Sequence, residues 1–575
     1  MIDFKEKVAG ALAGKIEGLS REEIGQLIEL PPSPEMGDFA FPCFRLAKTM
    51  RKAPGLIAKE LAESLRGEEG QSFFERIESK GGYVNFFILR AALTAEVLSQ
   101  IQEQKEGFGR SREGEGKKII VEFSSPNIAK PFHIGHIRST VIGNAIYKLY
   151  DFLGYDTIRI NHLGDYGTQF GKMIVAYRRW GSREEVEKAP IKTLLGLYVK
   201  FHEEAEKEPS LEDEAREVFK KLEEGSPEEQ KLWQWFREES LKEFQRVYEM
   251  LDISFDSYAG ESFYSDKMDR VTDMLKEKGL LQASQGAEIV DLSQWGMSPA
   301  LIRKKDGSTL YITRDIAAAI YRKEHYDFDK CIYVVAAQQN LHFQQWFKII
   351  ELMGFDWAKD CVHVNFGLVS MEEGTMSTRK GKVIFLEDVL NRAVEKTEEI
   401  IREKNVVKEN IEEISKQVGI GAVIFQELSN NRIKDYVFSW DKVLNFEGET
   451  GPYVQYTHAR ACSVLKKAGV DYAAGQKLSG EVDMSYITGE AAYQLTKRLY
   501  RFPEVIGEAA AKYEPSVLTR HIVDIAQAFN KFYHDEQILS ERAEEQKAKL
   551  LLTDGVRQVL KNGLGLLGMK APESM

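Results

Sequence analysis

The chain has 575 residues, of which 43% are hydrophobic and 29% are charged, and its net charge is -12 at pH 7. This length predicts about three to four domains, and the composition is typical of a soluble protein with a well-formed core. A secreted or membrane-spanning protein is not expected, because the charged N-terminus MIDFKEKVAGALAGK lacks an apolar signal region and no apolar run is long enough to cross a bilayer.

The four cysteines are far apart in the sequence and form no CxxC pair: Cys43, Cys331, Cys361 and Cys462. A zinc ribbon or a disulfide framework is therefore not predicted, and a reducing cytoplasm fits best. The net negative charge at first argues against a nucleic-acid partner, since phosphates attract Lys and Arg. However, residues 201–250 alone hold 16 acidic and 8 basic residues, whereas residues 451–575 are close to balance, with 15 acidic and 16 basic. A basic face in the C-terminal part therefore remains compatible with the composition.

Residues 1–113 are predicted to form a separate α+β module, with a helix at KAPGLIAKELAESL and a strand at GGYVNFFI. The turn-rich segment GFGRSREGEGKK is interpreted as the linker that ends it. Residues 114–384 then alternate short apolar runs (IIVEF, DTIRIN, CIYVVAA) with longer helix-period segments. This alternation predicts a Rossmann-like parallel sheet with helices on both faces.

A charged, helix-period insertion interrupts this pattern at about residues 181–300. From about residue 385 onward no strand is predicted. Residues 385–450 are interpreted as a helical connector, and residues 451–575 as a bundle of amphipathic helices. No internal repeat or low-complexity tract is present.

The segment SSPNIAKPFHIGHIRST places a loop and a helix start directly after the buried strand IIVEF. That layout positions a nucleotide at the carboxyl edge of a parallel sheet, with its phosphates near a helix N-terminus. His133 and His136 are three residues apart and share one helix face, where imidazole N–H groups can stabilise charge on an α-phosphate. Gly135 removes a side chain where adenine must approach, and Pro131 shapes the loop. An arbitrary HxxH is more often surface or core filling, but this one follows a strand and a Pro-Asn loop. Here the chain resembles the class I aminoacyl-tRNA synthetases, whose first signature is HIGH.

The second signature of that class is a KMSKS loop, and GTMSTRKGK at residues 374–382 stands in the corresponding order. Both signature lysines are missing, because Thr375 and Thr378 flank the Met-Ser pair. Met376, Ser377, Arg379 and Lys380 are predicted to contact ATP, the last two as cations for the phosphates. The arginyl-tRNA synthetases show a similar departure, and in that family a lysine before HIGH supplies the missing charge. On this resemblance Lys130, His133, His136 and Lys380 are expected to be catalytic.

The amino-acid pocket determines the substrate, and a guanidinium requires carboxylates and other acceptors at fixed angles. Glu122 lies near the end of the first strand and Asp315 lies in LYITRDIAAAI, although either could be an ordinary helix-end or strand-end acid. Five segments resemble the arginyl-tRNA synthetases in the order of that family: EFSSPNIAKPFHIGH, NHLGDYGTQFG, LYITRDIAAA, YVVAAQQNLHF and EGETGPYVQYTHARA. The resemblance implies an arginine site composed of Glu122, Ser125, Asn127, His162, Tyr311, Asp315 and Gln339.

The resemblance implies an ATP-dependent ligase that forms arginyl-adenylate and then transfers arginine to the terminal adenosine of its tRNA. Positioning and charge stabilisation would carry the chemistry, without an enzyme nucleophile. Mg²⁺ is expected to accompany ATP, and no metal-ligand cluster or protein-bound zinc is predicted. The family further implies that adenylate formation waits for bound tRNA, and that the protein is a monomer.

The C-terminal helices resemble the anticodon-binding domain of the family, and the N-terminal module resembles the additional domain that contacts the tRNA elbow. Candidate tRNA contacts, through stacking or phosphate binding, are Tyr453, Tyr456, His458, Arg460, Phe532 and Tyr533. Packing in the core of a helical bundle is the more frequent role for each such aromatic residue.

Three alternatives remain at this point. A cysteine-specific class I synthetase is disfavoured because it would need zinc-binding cysteines, whereas pocket acids alone exclude a lysine-specific enzyme less easily. A tRNA-binding regulator without catalysis is disfavoured by the intact HIGH segment, Lys130 and both pocket acids. A generic nucleotide-binding protein explains the sheet but not the helical C-terminal part.

Overall fold

A computed structural model describes residues 3–65, 73–305, 311–371, 384–404, 409–470, 472 and 482–575. The chain divides into two compact units. The first comprises residues 1–108, 460–502 and 524–560, and the second comprises residues 109–459, 503–523 and 561–575.

The strands, numbered β1 to β12 in chain order, are short, at three to seven residues each. They are Phe39–Pro42, Phe74–Lys80, Tyr83–Ile88, Lys118–Glu122, Asp156–Ile160, Leu281–Ser284, Ala287–Val290, Ala300–Arg303, Lys330–Ala336, Cys361–Phe366, Val369–Met371 and Tyr436–Phe438.

The helices are numbered α1 to α21 in the same way. They are Phe4–Ala13, Arg21–Leu27, Leu46–Met50, Pro54–Ser64, Arg90–Gln104, Ile137–Phe152, Gln169–Trp180, Arg183–Lys188, Pro190–Lys207, Ser210–Glu223, Pro227–Leu251, Met268–Glu277, Tyr311–Tyr326, Asn340–Leu352, Leu386–Lys404, Ile411–Ser429, Trp440–Val443, Gly451–Lys467, Glu490–Ala511, Ser516–Asp535 and Ala543–Leu566.

The first unit contains an antiparallel sheet in the order β1-β3-β2. The predicted strand GGYVNFFI is β3, whose residues after Tyr83 are nearly all buried, and the predicted helix KAPGLIAKELAESL is α4. Pro54 occupies the first position of α4, where its missing N–H costs nothing. A capping box between Ser20 and Glu23 begins α2. The predicted α+β character of the N-terminal module is confirmed.

The second unit is built on a four-stranded sheet in the order β10-β9-β4-β5, with parallel pairing throughout. The predicted strands IIVEF, DTIRIN and CIYVVAA are β4, β5 and β9, and α6, α7 and α14 lie between or after them. In β4 the residues from Ile119 to Glu122 are buried, as expected of a strand covered on both faces. The predicted Rossmann-like α/β class is confirmed, and the carboxyl ends of all four strands meet at one edge.

The structure differs from the sequence prediction in two short regions. Residues 181–300 were predicted to be helical, and α8 to α12 fulfil this through Glu277, but an antiparallel sheet in the order β6-β7-β8 follows. No strand was predicted after residue 385, yet β12 pairs in parallel with β11. These strands have three or four residues each, which is too short for a period-two pattern to stand out in a sequence. The helical character of residues 451–575 is confirmed by α18 to α21.

A buried ion pair ties α6 to the segments that follow the parallel sheet. Arg138, the second residue after the HIGH motif, lies 3.3 Å from Glu427 of α16, and neither side chain has any exposed surface. Arg138 Nη1 also donates hydrogen bonds to the carbonyl oxygens of Gly367 (2.7 Å) and Lys434 (2.9 Å). The start of α6 is therefore fixed relative to the segments beside β11 and β12.

Candidate active site

The loop that follows β4 contains three non-glycine residues in the left-handed backbone region, a conformation that costs free energy. Ser124, Ser125 and Ala129 all have positive φ, at 69°, 47° and 55°. For residues other than glycine this left-handed region costs roughly 1–2 kcal/mol each, because the Cβ approaches the following carbonyl. Such strain persists where the surroundings over-determine it, which is typical of ligand-binding loops.

Hydrogen bonds from two helices hold this loop in place. The Ser124 N–H donates to Ser139 Oγ of α6 at 2.9 Å, and Ser124 Oγ lies 2.8 Å from the Tyr248 hydroxyl of α11. The Ala129 N–H donates to Ser240 Oγ, also of α11, at 3.0 Å. The long helix of the insertion therefore buttresses the loop and is part of the site's framework.

A glycine lets the NHLGD segment approach the same loop. Asn127 and Gly164 form an isolated parallel bridge, in which the Ile128 N–H donates to the Gly164 carbonyl at 3.2 Å. A Cβ on Gly164 would lie 1.9 Å from Asn127 Oδ1, so a side chain there would displace this amide. The bridge holds Asn127, which is exposed, beside the segment that carries His162.

The two histidines of the HIGH motif form a reciprocal cap at the start of a short 3₁₀ turn, Ile134–His136, that leads into α6. The Gly135 N–H donates to His133 Nδ1 at 3.1 Å, and the His133 N–H donates to His136 Nδ1 at 3.1 Å. The two rings lie 4.0 Å apart between centroids. His133 Nδ1 accepts a backbone hydrogen bond, which places the proton of that neutral ring on Nε2. His136 Nδ1 also lies 3.3 Å from the His133 carbonyl oxygen, but its shorter contact is to the His133 N–H, and accepting that hydrogen bond places the His136 proton on Nε2 as well. Each Nε2–H is then available as a donor to a ligand.

Burial keeps both imidazoles uncharged. It lowers the pKa of His133, and it lowers the pKa of His136 to about 3, with the charges of His133 and Lys130 adding to the effect. Both histidines are partly exposed. Lys130 therefore lies close enough to act on His136, as expected for a cation beside the nucleotide.

The depressed pKa of His136 predicts a stability that depends on pH. An unfolded histidine takes up a proton below about pH 6.5, whereas the folded His136 does so only near 3. Between these values the unfolded chain binds more protons, so the free energy of unfolding falls as the pH falls. The variant His136→Asn lacks this titration, so its free energy of unfolding should fall less steeply as the pH is lowered. Below about pH 6 the slopes of the two proteins should differ by up to about 1.4 kcal/mol per pH unit.

Denaturant unfolding of both proteins at a series of pH values between about 7 and 5 measures this difference. His534→Asn serves as a control, because the His534 side chain is 89% exposed. The prediction would be contradicted if the difference in free energy of unfolding between His136→Asn and the unsubstituted protein stayed the same at every pH.

One face of α13 carries three polar side chains toward the carboxyl edge of the sheet. Tyr311, Asp315 and Arg322 are spaced at i, i+4 and i+11, which places them on the same side of the helix. Tyr311 is 57% exposed and Arg322 is fully buried. Asp315 is partly exposed, and its Oδ2 lies 2.5 Å from His342 Nε2 of α14.

Glu122, the last residue of β4, contacts Arg322, the buried residue on this face of α13. Its Oε2 lies 2.5 Å from Arg322 Nη1, and Arg322 Nη2 lies 3.3 Å from Nδ1 of His162. Burial lowers the pKa of His162, while the charges of Glu122 and Asp315 both raise it and Arg322 lowers it. Both predicted acids therefore lie near the same histidine, and Tyr311 lies one helical turn before Asp315 on the same face of α13.

The remaining predicted ligands have mixed placements. Ser125 is half-buried in the strained loop, Pro131 is buried, and Gln339 is exposed at the end of a 3₁₀ turn after β9. Four predicted ATP contacts lie outside the residues that the structure describes: Met376, Ser377, Arg379 and Lys380.

Two of the candidate tRNA contacts in the second unit pack within the protein. His458 is 1% exposed, and its Nδ1 lies 2.9 Å from the Pro572 carbonyl, so it holds the C-terminal segment. Tyr456 packs against a buried cluster that includes Ile401 and Met575. Tyr453 is half-buried at the start of α18. The tRNA-binding prediction for His458 is not supported, because a buried ring offers no face to a base.

The candidate tRNA contacts in the first unit also include both a buried and an exposed residue. Phe532 is fully buried, which favours a packing role and disfavours base contact. Tyr533 is 43% exposed, and the Arg460 guanidinium lies 5.2 Å from its ring centroid. Arg460 also donates to Asn530 Oδ1. Arg460 and Tyr533 thus form a joint polar and aromatic surface.

Sequence reasoning missed several residues that shape the pocket. Arg322 follows Asp315 by seven residues, a helical spacing that could have drawn attention to it. His342 lies in the quoted segment YVVAAQQNLHF but was not singled out. The pKa of Glu261 is raised to about 7, chiefly by burial; the charge of Arg314 opposes this rise, and the charges of Asp315 and Asp165 add to it. No sequence signal indicated Glu261 or Tyr248, since both come from the insertion and its flank.

Within the described residues, no group of three or more His, Cys, Asp or Glu side chains is arranged to hold a metal ion. A search of the same residues found no helix long and apolar enough to span a bilayer.

Three family models match the chain in succession. Residues 3–88 match the arginyl tRNA synthetase N terminal domain, residues 97–440 match the class I (R) tRNA synthetase catalytic domain, and residues 454–575 match the DALR anticodon binding domain. The catalytic-domain model alone covers more than half of the chain.

Similar proteins agree with these matches. The chain is 61% identical to an arginine–tRNA ligase of Clostridioides difficile and 59% identical to one of Halothermothrix orenii, each over 575 residues and the whole of both chains. Among solved structures, Plasmodium falciparum arginyl-tRNA synthetase superposes with a TM-score of 0.80 at 25% identity, covering 100% of this chain and 98% of that one.

Proposed function

The chain belongs to the arginyl-tRNA synthetases of class I, and we propose that it binds arginine between β4 and α13 and ATP at the HIGH turn. Like its family, it is an ATP-dependent ligase that attaches L-arginine to tRNA in two steps. The first forms arginyl-adenylate and pyrophosphate, and the second transfers arginine to the 3′-terminal adenosine of tRNA. The alternatives of another amino acid or of a regulator without catalysis are set aside, because the relatives carry the arginine-specific name over their full length.

The proposed arginine site is supported by the placement of Glu122 and Asp315 near His162, with Tyr311 one helical turn before Asp315 on α13. A guanidinium is planar and permanently charged, so carboxylate oxygens at fixed angles bind it selectively. Asp315 presents such a carboxylate with partial exposure, and the Tyr311 ring can cover the aliphatic part of the substrate. Asn127, Ser125 and Gln339, from the loop after β4 and the turn after β9, would hold the α-amino and carboxylate groups.

The chemistry requires orientation of the arginine carboxylate toward the α-phosphate of ATP. As the phosphorus becomes five-coordinate, negative charge grows on its oxygens, and the neutral Nε2–H groups of His133 and His136 are placed to donate to them. Gly135 and Pro131 would border the nucleotide, and Lys130 adds a cation near His136. ATP would enter as its Mg²⁺ complex, with Met376, Ser377, Arg379 and Lys380 as proposed contacts.

The paired surface of Arg460 and Tyr533 is the best supported candidate for tRNA contact. A guanidinium over an exposed aromatic ring can bind a phosphate while the ring stacks on an unpaired base.

We propose that the chain has four functional parts. Residues 1–113 would bind the tRNA elbow, residues 114–384, with the insertion, would carry out catalysis, residues 385–450 would connect the parts, and residues 451–575 would bind the anticodon. We further propose that the protein acts as a monomer in the cytoplasm, where tRNA and reduced cysteines are expected.

Amino-acid-dependent pyrophosphate exchange and charging of total tRNA test this function. With each amino acid supplied in turn and tRNA present, we expect exchange and charging with arginine only, because a lysine ammonium cannot match the fork geometry of a guanidinium. Comparable charging with lysine would contradict the proposed pocket. Omitting tRNA should abolish exchange with arginine, and exchange at the full rate without tRNA would refute the proposed dependence on tRNA.

A further inference from the structure

The acids around the proposed arginine pocket differ in the partners that the protein gives them. Three of the four are paired with an arginine of the chain itself, at distances of 2.5 to 3.3 Å. These pairs are Glu122 with Arg322 (2.5 Å), Asp165 with Arg237 (3.0 Å) and Glu261 with Arg314 (3.3 Å). In each pair the guanidinium compensates the carboxylate, so these acids offer little uncompensated negative charge to a cationic substrate.

Asp315 is the exception. Within the described part of the chain, its only ion-pair or hydrogen-bond partner at the side chain is His342, whose Nε2 lies 2.5 Å from Oδ2. The side chains of Asp315 and His342 are 30% and 25% exposed, so solvent reaches both of them. A carboxylate has about four acceptor positions. One contact to Oδ2 therefore leaves Oδ1 and part of Oδ2 able to accept from a guanidinium.

We propose that His342 is a specificity-determining positioning residue, which orients the Asp315 carboxylate for the guanidinium of arginine without the permanent positive charge that an arginine brings to each of the other three acids. This inference rests on the proposed assignment of Asp315 to the arginine site. His342 holds the Asp315 carboxylate through Nε2 at 2.5 Å, whereas a Lys or Arg at this position would place a permanent positive charge on it, as at the three other acids. The Asp315 carboxylate is therefore the acid of this group that is best able to bind a cationic side chain.

Three substitutions of His342 separate orientation from charge. His342→Gln keeps a neutral N–H donor near the position of Nε2. His342→Leu removes the donor but adds no charge. His342→Lys keeps a donor and adds a permanent positive charge. All three act at a side chain that is one-quarter exposed, where changes of size are tolerated better than in the core.

The measurement is the KM for arginine and for ATP in pyrophosphate exchange with full-length protein and tRNA. We expect His342→Gln to keep the KM for arginine within about threefold, since a neutral donor is retained. His342→Leu should raise it by about 5- to 20-fold because the carboxylate is no longer oriented. His342→Lys should raise it by about 100-fold, because Asp315 becomes compensated. The KM for ATP should change little in all three.

Citrulline, the neutral counterpart of arginine, provides a readout that loss of structure alone would not change. The inhibition constant of citrulline against arginine should be nearly unaffected by His342→Lys. The ratio of this inhibition constant to the KM for arginine, which measures the preference for the charged ligand, should therefore decrease. A general distortion of the pocket would instead weaken both ligands together.

Several outcomes would overturn the role of His342. They are a KM for arginine in His342→Lys that equals that of the unsubstituted protein, an equal loss in all three variants, or a parallel rise in the KM for ATP. Asp315→Asn is measured alongside. If it leaves the KM for arginine unchanged, the proposed arginine site itself is wrong. If it raises that KM while the His342 variants do not, only the inference about His342 fails.

Discussion

Asp315→Asn is expected to raise the KM for arginine by about 10- to 100-fold while the KM for ATP stays within about twofold. A hydrogen bond to a charged group contributes roughly 1.5–3 kcal/mol, and each 1.4 kcal/mol corresponds to a factor of ten. The substitution keeps the size of the side chain and removes the charge. Because the other pocket acids have arginine partners within the protein, none of them can replace Asp315 as an uncompensated carboxylate.

Pyrophosphate exchange with varied arginine and varied ATP measures both constants. Glu324→Gln is the matched control, since Glu324 lies on the same helix, is exposed and pairs with Arg270 at the surface. Surface pairs contribute little, so this variant should behave as the unsubstituted protein does. An unchanged KM for arginine in Asp315→Asn would remove the basis of the proposed pocket.

The sequence predicted those parts of the site that local patterns determine. The strand β4, the loop after it and the start of α6 lie within about 25 residues, and a buried strand followed by Pro, Asn and HIGH predicts their arrangement directly. Asp315 and Tyr311 could be predicted as arginine ligands because the segment LYITRDIAAA resembles the corresponding segment of the arginyl-tRNA synthetases. The ion pair between Glu122 and Arg322 could not, because it joins residues 200 positions apart whose contact depends on how α13 packs on the sheet.

The burial of two candidate tRNA contacts, His458 and Phe532, has a physical cause. His458 and Phe532 have the residue types of nucleic-acid contacts, but burial is decided by tertiary packing, which a periodic pattern in one helix does not fix. The strained backbone at Ser124, Ser125 and Ala129 was also invisible, since serine and alanine carry no preference for positive φ. The support that Tyr248 and Ser240 give to this loop comes from the helical insertion, because a charged, helix-period pattern does not specify which loop its helix contacts.

His136→Asn is expected to lower the kcat of adenylate formation by about 100- to 1,000-fold, the range found when one preorganised donor to a developing charge is removed. The asparagine Oδ1 can replace Nδ1 as acceptor for the His133 N–H, so the turn is retained while the Nε2–H donor is lost. The KM values for ATP and arginine should change by no more than about threefold, because the lost interaction acts mainly in the transition state.

His136→Gln distinguishes this explanation from a simple loss of structure. The glutamine amide can place an N–H near the position of Nε2 but reproduces the hydrogen bond to the His133 N–H less well. If donation to the α-phosphate is what matters, His136→Gln should retain more activity than His136→Asn despite its poorer cap. If the cap of the turn is what matters, the order should reverse, and the activity of both variants should follow their thermal stability. The first order would assign His136 a catalytic donor role, and the second would reduce the HIGH pair to a structural cap of α6.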